Sequence, residues 1–371
     1  MADKNENGMK SIVFLLPCSA SKPVGGFKVV YEYANRLVRD GVDVHIVYSS
    51  VLFPKELSIV KRIFSVLFYL KWKWQKRYLP TRWFTLDERV KQYLVYSLQQ
   101  VNVPDADMYV ATSWETAEYL MTYQGVDIRD KYYFIQHYEQ WSCTNEQRLI
   151  ATWKAPLHKI VIAPWLKDIA NELGESADVV ENGFDFDTFE ITLDIGKRQI
   201  EKIVMLYHEL EWKGFQDAFE ALNIVKQKYP KLIVNLFGVY ERPVNLPNWY
   251  VYYQMPDKVT LNRIYNEAAI YVGASHTEGW GLTVGEAMQC GCAVVCTDNG
   301  GYSVVAHHHE TALVSPIKDI ESLANNIIRL IENQELRCRL AENGNCYIKQ
   351  YTWEKSYERL KQILLKDESE Y

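Results

Sequence analysis

The stretch Ala274-Ser-His-Thr-Glu-Gly-Trp-Gly-Leu-Thr-Val-Gly-Glu-Ala-Met-Gln-Cys-Gly291 decides the fold. An apolar run over 269–274 leads into it, and a segment with helical spacing, 282–289, leads out of it. Between them Gly279 and Gly281 let the backbone turn tightly and approach a ligand. The first amides of the helix, near Leu282 and Thr283, have no carbonyl one turn back. Such amides attract anions, and a phosphate suits them. Glu278 stands in the loop and Glu286 about a turn into the helix, eight positions on. Carboxylates repel phosphate, so these two would accept hydrogen bonds from hydroxyls, such as those of a sugar or a ribose. The same residues also fit an ordinary strand–turn–helix with solvated glutamates.

Outward from this segment, Val- and Ile-rich runs alternate with helical ones. The first series of predicted strands covers 11–16, 42–48, 108–112, 132–136 and 159–163. The second covers 203–207, 232–237, 249–253, 269–274, 293–296 and 312–314. Predicted helices lie at 27–39, 215–228, 259–268, 282–289, 320–332 and 336–347, with a last one at 354–365. This alternation indicates an α/β protein with parallel sheets built from βαβ units. Two series in succession predict two Rossmann-like, doubly wound domains, dividing between 181 and 197. Ligands of open α/β sheets sit beyond the carboxyl ends of the strands, so a cleft shared by the two domains is the expected site.

A length of 371 residues suits two domains of ~150 residues or more. With 48% hydrophobic and 24% charged residues, the chain is neither disordered nor fibrous. Its net charge of -6 argues against a general nucleic-acid binder. Seven scattered cysteines fit a reducing compartment better than a disulfide framework. Cys290-Gly-Cys292 lacks the spacing of a zinc knuckle, and His307-His308-His309 reads as a loop, so no metal is expected. The start, 1–10, is polar and shows no signal peptide. The greasiest run, 59–70, is broken by Lys61 and Arg62 and falls short of the ~20 apolar residues of a membrane span. The expectation is a cytoplasmic protein, soluble or peripheral on the inner face of the cell membrane.

Other short segments accompany the Glu278–Glu286 pair. Gly25-Gly26 follows the first strand, and Tyr133-Phe-Ile-Gln-His137 is a strand ending in histidine. Glu181-Asn-Gly-Phe-Asp185 is a turn between the domains; Lys213-Gly214 and Gly300-Gly301 follow later strands; Tyr351-Thr-Trp-Glu354 opens the last helix. In order and spacing these resemble the retaining, nucleotide-sugar-dependent glycosyltransferases of family 4, the glycosyl transferases group 1, which have the GT-B fold. The resemblance extends over nearly the whole chain. It implies an acceptor-binding domain over 1–180, a donor-binding domain over 181–351 and a terminal helix, 352–371, packing back on the first. Without the resemblance, the last helix fits either domain.

The resemblance also implies roles. Glu286 would hold the ribose, and Leu282 and Thr283 would give backbone N–H groups to the diphosphate within the loop of Gly279, Trp280 and Gly281. Lys213 would neutralise the diphosphate. Glu278 would hold the donor sugar near the reacting carbon, with His137 beside that sugar. Gly25 and Gly26 would let the first domain's loop close on the phosphates, and the base would lie near 253–255, Met255 included. Where the family has a basic residue five positions before the lysine, this chain has His208. It would serve as a second cation or donate one hydrogen bond.

The chemistry explains why a cation is needed. Glycosyl transfer requires about 8 kcal/mol or more of transition-state stabilisation, and a helix N-terminus gives only ~0.3–2 kcal/mol. A fixed ammonium in a water-poor site makes up part of the difference. Asp185-Phe-Asp187 has the spelling of a metal motif but coincides with the Asn-Gly-x-Asp turn, so it is read as structural, with no metal and no cofactor required.

Segment 55–82 is basic and aromatic, with Glu56 its one acid and with Trp72, Trp74 and Tyr78 interleaved among lysines and arginines. Trp, Lys and Arg together suit an interfacial helix on anionic lipid. The reading is therefore a transferase moving a sugar from a nucleotide-diphosphate sugar to a glycan or lipid-linked glycan in surface polysaccharide synthesis. A GT-B sugar-nucleotide epimerase and a catalytically silent nucleotide-sugar-binding partner subunit are the alternatives.

Overall fold

The computed structural model describes residues 9–19, 21–143 and 145–365. The first eight residues of the polar start, and 366–371 of the expected terminal helix, lie outside the described residues. The chain forms two compact units, Met1–Val180 and Glu181–Tyr371.

The first unit runs β1 (Ser11–Leu16), α1 (Gly25–Arg39), β2 (Asp43–Ser49), α2 (Ile59–Trp74), β3 (Lys91–Val95), β4 (Met108–Ala111) and α3 (Trp114–Met121). It continues through β5 (Lys131–Ile135), α4 (Glu146–Trp153), β6 (His158–Val161), α5 (Pro164–Glu172) and β7 (Asp178–Val179). The strands form one parallel sheet in the order β3-β2-β1-β4-β5-β6-β7. β1 lies mid-sheet, with Ser11 opposite Asp43 through Leu16 opposite Tyr48, and all six of its residues are buried. A strand covered on both faces has no polar side, which is why Ile12–Leu16 is unbroken hydrocarbon and aromatic.

The second unit runs β8 (Gln199–Tyr207), α6 (Phe215–Lys228), β9 (Ile233–Gly238), β10 (Tyr250–Gln254), α7 (Lys258–Glu267), β11 (Ala268–Gly273) and α8 (Leu282–Gln289). It continues through β12 (Ala293–Thr297), β13 (Ala312–Ser315), α9 (Ile320–Glu332), α10 (Gln334–Ile348) and α11 (Trp353–Leu364). Its sheet, again parallel, has the order β10-β9-β8-β11-β12-β13. The order reverses between β8 and β11, and at such a switch point the loops leaving the two strands diverge and open a crevice. The core beneath is made by Ala218, Leu222 and Val225 of α6 and Leu323, Ile327 and Leu330 of α9 against Ile203, Leu236 and Ile270.

α11 is tied to the start of its own unit. Ser356 Oγ donates to Glu181 O, and Phe184 N–H donates to Tyr351 O at 3.1 Å. Gly183 is required there, because a Cβ would lie 2.3 Å from Trp353 N. Among the described residues, no helix is long and apolar enough to cross a membrane.

Candidate functional site

The two loops at the switch point of the second sheet carry the charged groups singled out above. The loop after β8 makes one tight turn over Glu211–Lys213 and enters α6 through Gly214, whose φ is +67°. The loop after β11 carries Ser275, His276 and Glu278. Lys213 Nζ meets Glu278 Oε1 at 2.7 Å, both side chains being more than four-fifths buried. Ser275 Oγ donates to the same carboxylate oxygen at 2.8 Å, and Lys213 Nζ also lies 4.4 Å from the Trp212 ring centroid. An ammonium in this position has little bulk water to screen it, so its field on a bound anion is strong.

The loops are laced together at several points. His276 N–H donates to Trp212 O at 2.7 Å, and His276 Nε2 lies 2.7 Å from Asp217 Oδ2 in the first turn of α6. Thr297 Oγ1 and Asn299 Nδ2 both donate to Ser275 O, and Tyr302 OH donates to Ser275 Oγ at 3.2 Å. Lys213 and Glu278, 65 positions apart in the chain, are held by this lacing rather than by their own contact alone.

α8 begins at Gly281, with φ +88° and no side-chain cap. Its first internal bond among the described residues is Gly285 N–H to Gly281 O at 3.1 Å, so the amides of Leu282, Thr283 and Val284 have no carbonyl one turn back. A Cβ on Gly281 would lie 2.8 Å from the Tyr302 ring. Glu286 is buried, and Tyr265 OH donates to its Oε2 at 3.3 Å. An anion at the mouth of α8 would thus meet backbone amides in front, with Glu286 one turn behind as an acceptor for hydroxyls.

His208 follows β8 directly. Burial, and then the Lys213 ammonium, push it down to about 4, with the Glu278 carboxylate acting in the opposite direction. Its Nδ1 accepts from Leu210 N–H at 3.1 Å, which leaves the ring proton on Nε2, 3.2 Å from Tyr240 OH. Burial and the neighbouring ammonium thus favour the neutral, hydrogen-bonding form of this ring, and a bound diphosphate would act in the opposite direction. An unfolded histidine titrates near 6.5. Between that value and about 4 the unfolded chain takes up the extra proton, so this group makes stability fall as pH drops through the window. His208→Gln should change the donor KM at pH 7.5 by no more than about fivefold, the scale of one neutral hydrogen bond. A loss of ~100-fold, the scale of a missing charge-stabilising group, would restore the cation reading.

The remaining expected residues lie as follows. Met255 directly follows the edge strand β10 with φ +46°, its N–H donating to Gly238 O at 2.8 Å. It shares the carboxyl edge of the sheet with Lys213 but stands two strands from β8. The Trp280 side chain is buried between Phe184 and Tyr351, so only its backbone is available to a ligand at the loop. Gly279 lies in the loop between Glu278 and Trp280. In the first unit Gly25 and Gly26 are the first two residues of α1, after an extended Val24 that gives no side-chain cap, so their amides are among those without a carbonyl one turn back. Gln136 Nε2 donates to Gly26 O at 3.1 Å, and a Cβ on Gly26 would press on that amide at 3.3 Å. His137 follows β5, its ring edge-on to Trp141 and Trp165. Asp185 is engaged: it accepts from Thr188 N–H and Oγ1 and from Lys258 Nζ at 2.8–3.0 Å, as a turn residue would.

Sequence reading passed over Asp217, Ser275 and Tyr302. Asp217 and His276 are 59 positions apart and Tyr302 and Ser275 are 27 apart, so no local spacing could have joined them. It also passed over Glu139, which burial and the Glu115 carboxylate push up to about 8 while Trp114 N–H donates to it at 2.8 Å.

Comparison with known proteins adds the following. The family described as Glycosyl transferases group 1 matches residues 188–346. A phosphatidyl-myo-inositol mannosyltransferase of Mycobacterium tuberculosis is 27% identical over 53% of this chain and 58% of its own length. An N,N'-diacetylbacillosaminyl-diphospho-undecaprenol alpha-1,3-N-acetylgalactosaminyltransferase of Campylobacter jejuni is 26% identical over 41% of this chain and 40% of its own. The chain spans about half the length, or less, of the curated relatives it matches. Among solved structures, the Anabaena protein HepE in complex with UDP-glucose gives a TM-score of 0.71 at 15% identity, covering 96% of this chain and 99% of that one. Sucrose-phosphate synthase from Thermosynechococcus elongatus gives 0.70 at 16%, covering 95% and 98%.

Proposed function

We propose that this chain, which matches the glycosyl transferases group 1 family over residues 188–346 and has the GT-B fold, is a retaining glycosyltransferase of that family. It moves a sugar from a nucleotide-diphosphate sugar to a glycan or lipid-linked glycan acceptor in surface polysaccharide synthesis. The observation that carries this reading is the 2.7 Å pair of Lys213 and Glu278 beside the uncapped start of α8. A ligand with a diphosphate next to a sugar has a partner for every group there. Phosphate oxygens take the α8 amides and the Lys213 ammonium, and sugar hydroxyls take Glu278. Ribose hydroxyls take Glu286. The named mannosyl- and galactosaminyltransferases, and the UDP-glucose in the Anabaena structure, support the same ligand class.

As the anomeric bond breaks, negative charge grows on the leaving diphosphate. Lys213 and the α8 amides, already fixed in place, stabilise it with little reorganisation. On the retaining route proposed here, the departing diphosphate takes the acceptor's proton on the face where the new bond forms. Trapping a glycosyl-enzyme adduct would contradict that route. His137 belongs to the same proposal as a residue needed for turnover, and contact with an anionic membrane through 55–82 as the means of meeting a lipid-linked acceptor on the inner face of the cell membrane. No metal step is proposed, since the oxygens of Asp185 are committed to Thr188 and Lys258. Activity undiminished by EDTA is the expected result.

The reading is tested by screening nucleotides and nucleotide-sugars for thermal stabilisation and then for turnover. A ligand at 100 times its Kd adds ~2.7 kcal/mol. Stabilisation by one nucleotide-sugar, with transfer to a glycan, is expected. Nucleotide release without a glycan product would mean an epimerase, and binding without turnover a silent partner. Stabilisation by none would remove the donor site altogether.

A further inference from the structure

α2 is built inside out. It has sixteen residues and none is buried. Only Ser65, Tyr69 and Trp72 are half-buried, spaced four and three apart, which at 3.6 residues per turn is a single stripe. This stripe is the seam with the rest of the unit: Ser65 Oγ hydrogen-bonds Tyr96 OH at 2.9 Å, and the Tyr69 ring lies edge-on to Tyr96 at 5.8 Å. The opposite crest is Val60, Ile63, Leu67, Leu70 and Trp74, all exposed, Trp74 by 84%. Ile59 and Phe64, 78% and 67% exposed, widen it. An ordinary surface helix turns such a face inward, and an outward apolar face of this extent marks an interaction surface.

The charges say what covers it. From 57 to 82 there is no acid, and Lys61, Arg62, Lys71, Lys73, Lys76 and Arg77 all fall in this span, in a chain whose net charge is -6. By the same 3.6-residue geometry Lys71 lies on one flank of the crest and Lys73 on the other. Hydrocarbon outermost with ammonium groups alongside is the profile of a helix lying in a headgroup layer. α2 is too short and too charged to cross a bilayer. A neutral protein partner would leave the lysines unmatched, and a second copy would bring the same positive charge against them.

We propose that α2 is an insertion helix: its Ile63–Leu67–Leu70–Trp74 crest enters the acyl boundary of an anionic bilayer while the flanking lysines hold lipid phosphates. A shallow apolar hollow beside it, lined by Val51, Phe64, Leu67, Phe68 and Lys71, offers room for a displaced acyl segment. The inference deepens the membrane part of the proposed function and needs nothing from the donor site.

The test is co-sedimentation of the full chain, without nucleotide, with phosphatidylcholine vesicles and with vesicles containing 30% phosphatidylglycerol. Binding to the second set is expected, with a partition coefficient at least tenfold higher than to the first. Bromines on the acyl chains should quench fluorescence in the parent chain and much less in Trp74→Phe. Ile63→Ser/Leu67→Ser/Leu70→Ser should lower binding tenfold or more with an unchanged melting curve, because these side chains are exposed. Lys71→Glu/Lys73→Glu should do the same more strongly at low salt. Absence of vesicle binding, binding unaffected by the serine triple, or concentration-dependent dimerisation abolished by that triple would each overturn the proposal. Nucleotide-sugar stabilisation, measured separately, would be untouched by such failures, so the two readings can fall independently.

Discussion

Lys213→Ala lowers kcat/KM for donor turnover by about 10²–10³-fold, the scale set by removing one preorganised charge-stabilising group. The side chain is the cation that faces Glu278 at 2.7 Å, and burial together with this ammonium holds the nearby His208 toward its neutral form. The loss should fall on kcat more than on KM, since the charge that Lys213 meets grows as the bond breaks. Glu278→Gln is the informative companion. It removes the carboxylate that holds the ammonium, so free nucleoside diphosphate should bind more tightly while sugar transfer slows. Steady-state kinetics and a titration with the nucleoside diphosphate check both. Full activity in Lys213→Ala would detach the catalytic reading from this corner, and weaker nucleoside diphosphate binding in Glu278→Gln would show that the pair does not compete with phosphate.

Gly214→Ala is expected to damage both stability and the site. The residue has φ +67°, and a Cβ there would lie 1.9 Å from Ala274 O, a backbone atom that cannot swing aside. The left-handed conformation costs a side chain about 1–2 kcal/mol, and the overpacking about 1–3 kcal/mol more. A drop in Tm of roughly 5–15 °C follows for a unit of this size. Gly41→Ala is the control, with φ +84° and nothing within 4 Å of a Cβ, so it should show the backbone cost alone. Any Gly214→Ala protein that stays folded must part the two loops, and its donor affinity should fall with the Lys213–Glu278 contact. An unchanged melting curve would mean that the loops are looser than their hydrogen bonds indicate.

The sheets were legible because buried parallel strands leave an unbroken apolar trace. Ser11–Leu16 and Ala268–Gly273 are two such strands. β3 was not legible: as an edge strand it leaves Lys91 exposed and Gln92 and Tyr93 half-exposed, so its apolar signal is two residues long. α3, α4 and α5, at eight or nine residues, are too short for a 3.6-residue period to stand out. At the site, the residue types and spacing of Glu278 and Glu286 marked the loop and helix, and Lys213 was found through the family resemblance. The partners that hold them were hidden, since His276–Asp217 and Tyr302–Ser275 are made by strand order and not by neighbourhood in the chain. Trp280 and the Gly25-Gly26 pair show the converse: the family resemblance pointed to the segment, and packing decided which atoms of it face out.

The Lys213–Glu278 bond has one more implication, for which solutes are turned away. Inorganic phosphate or a bare diphosphate seated on Lys213 would draw the ammonium from this carboxylate and leave it, with the Ser275 hydroxyl, without a cation in exchange. A solute carrying hydroxyls beside its phosphates re-partners both sides at once. On the proposed function, the pair would work as a gatekeeper that favours the whole donor over its fragments before any reaction begins.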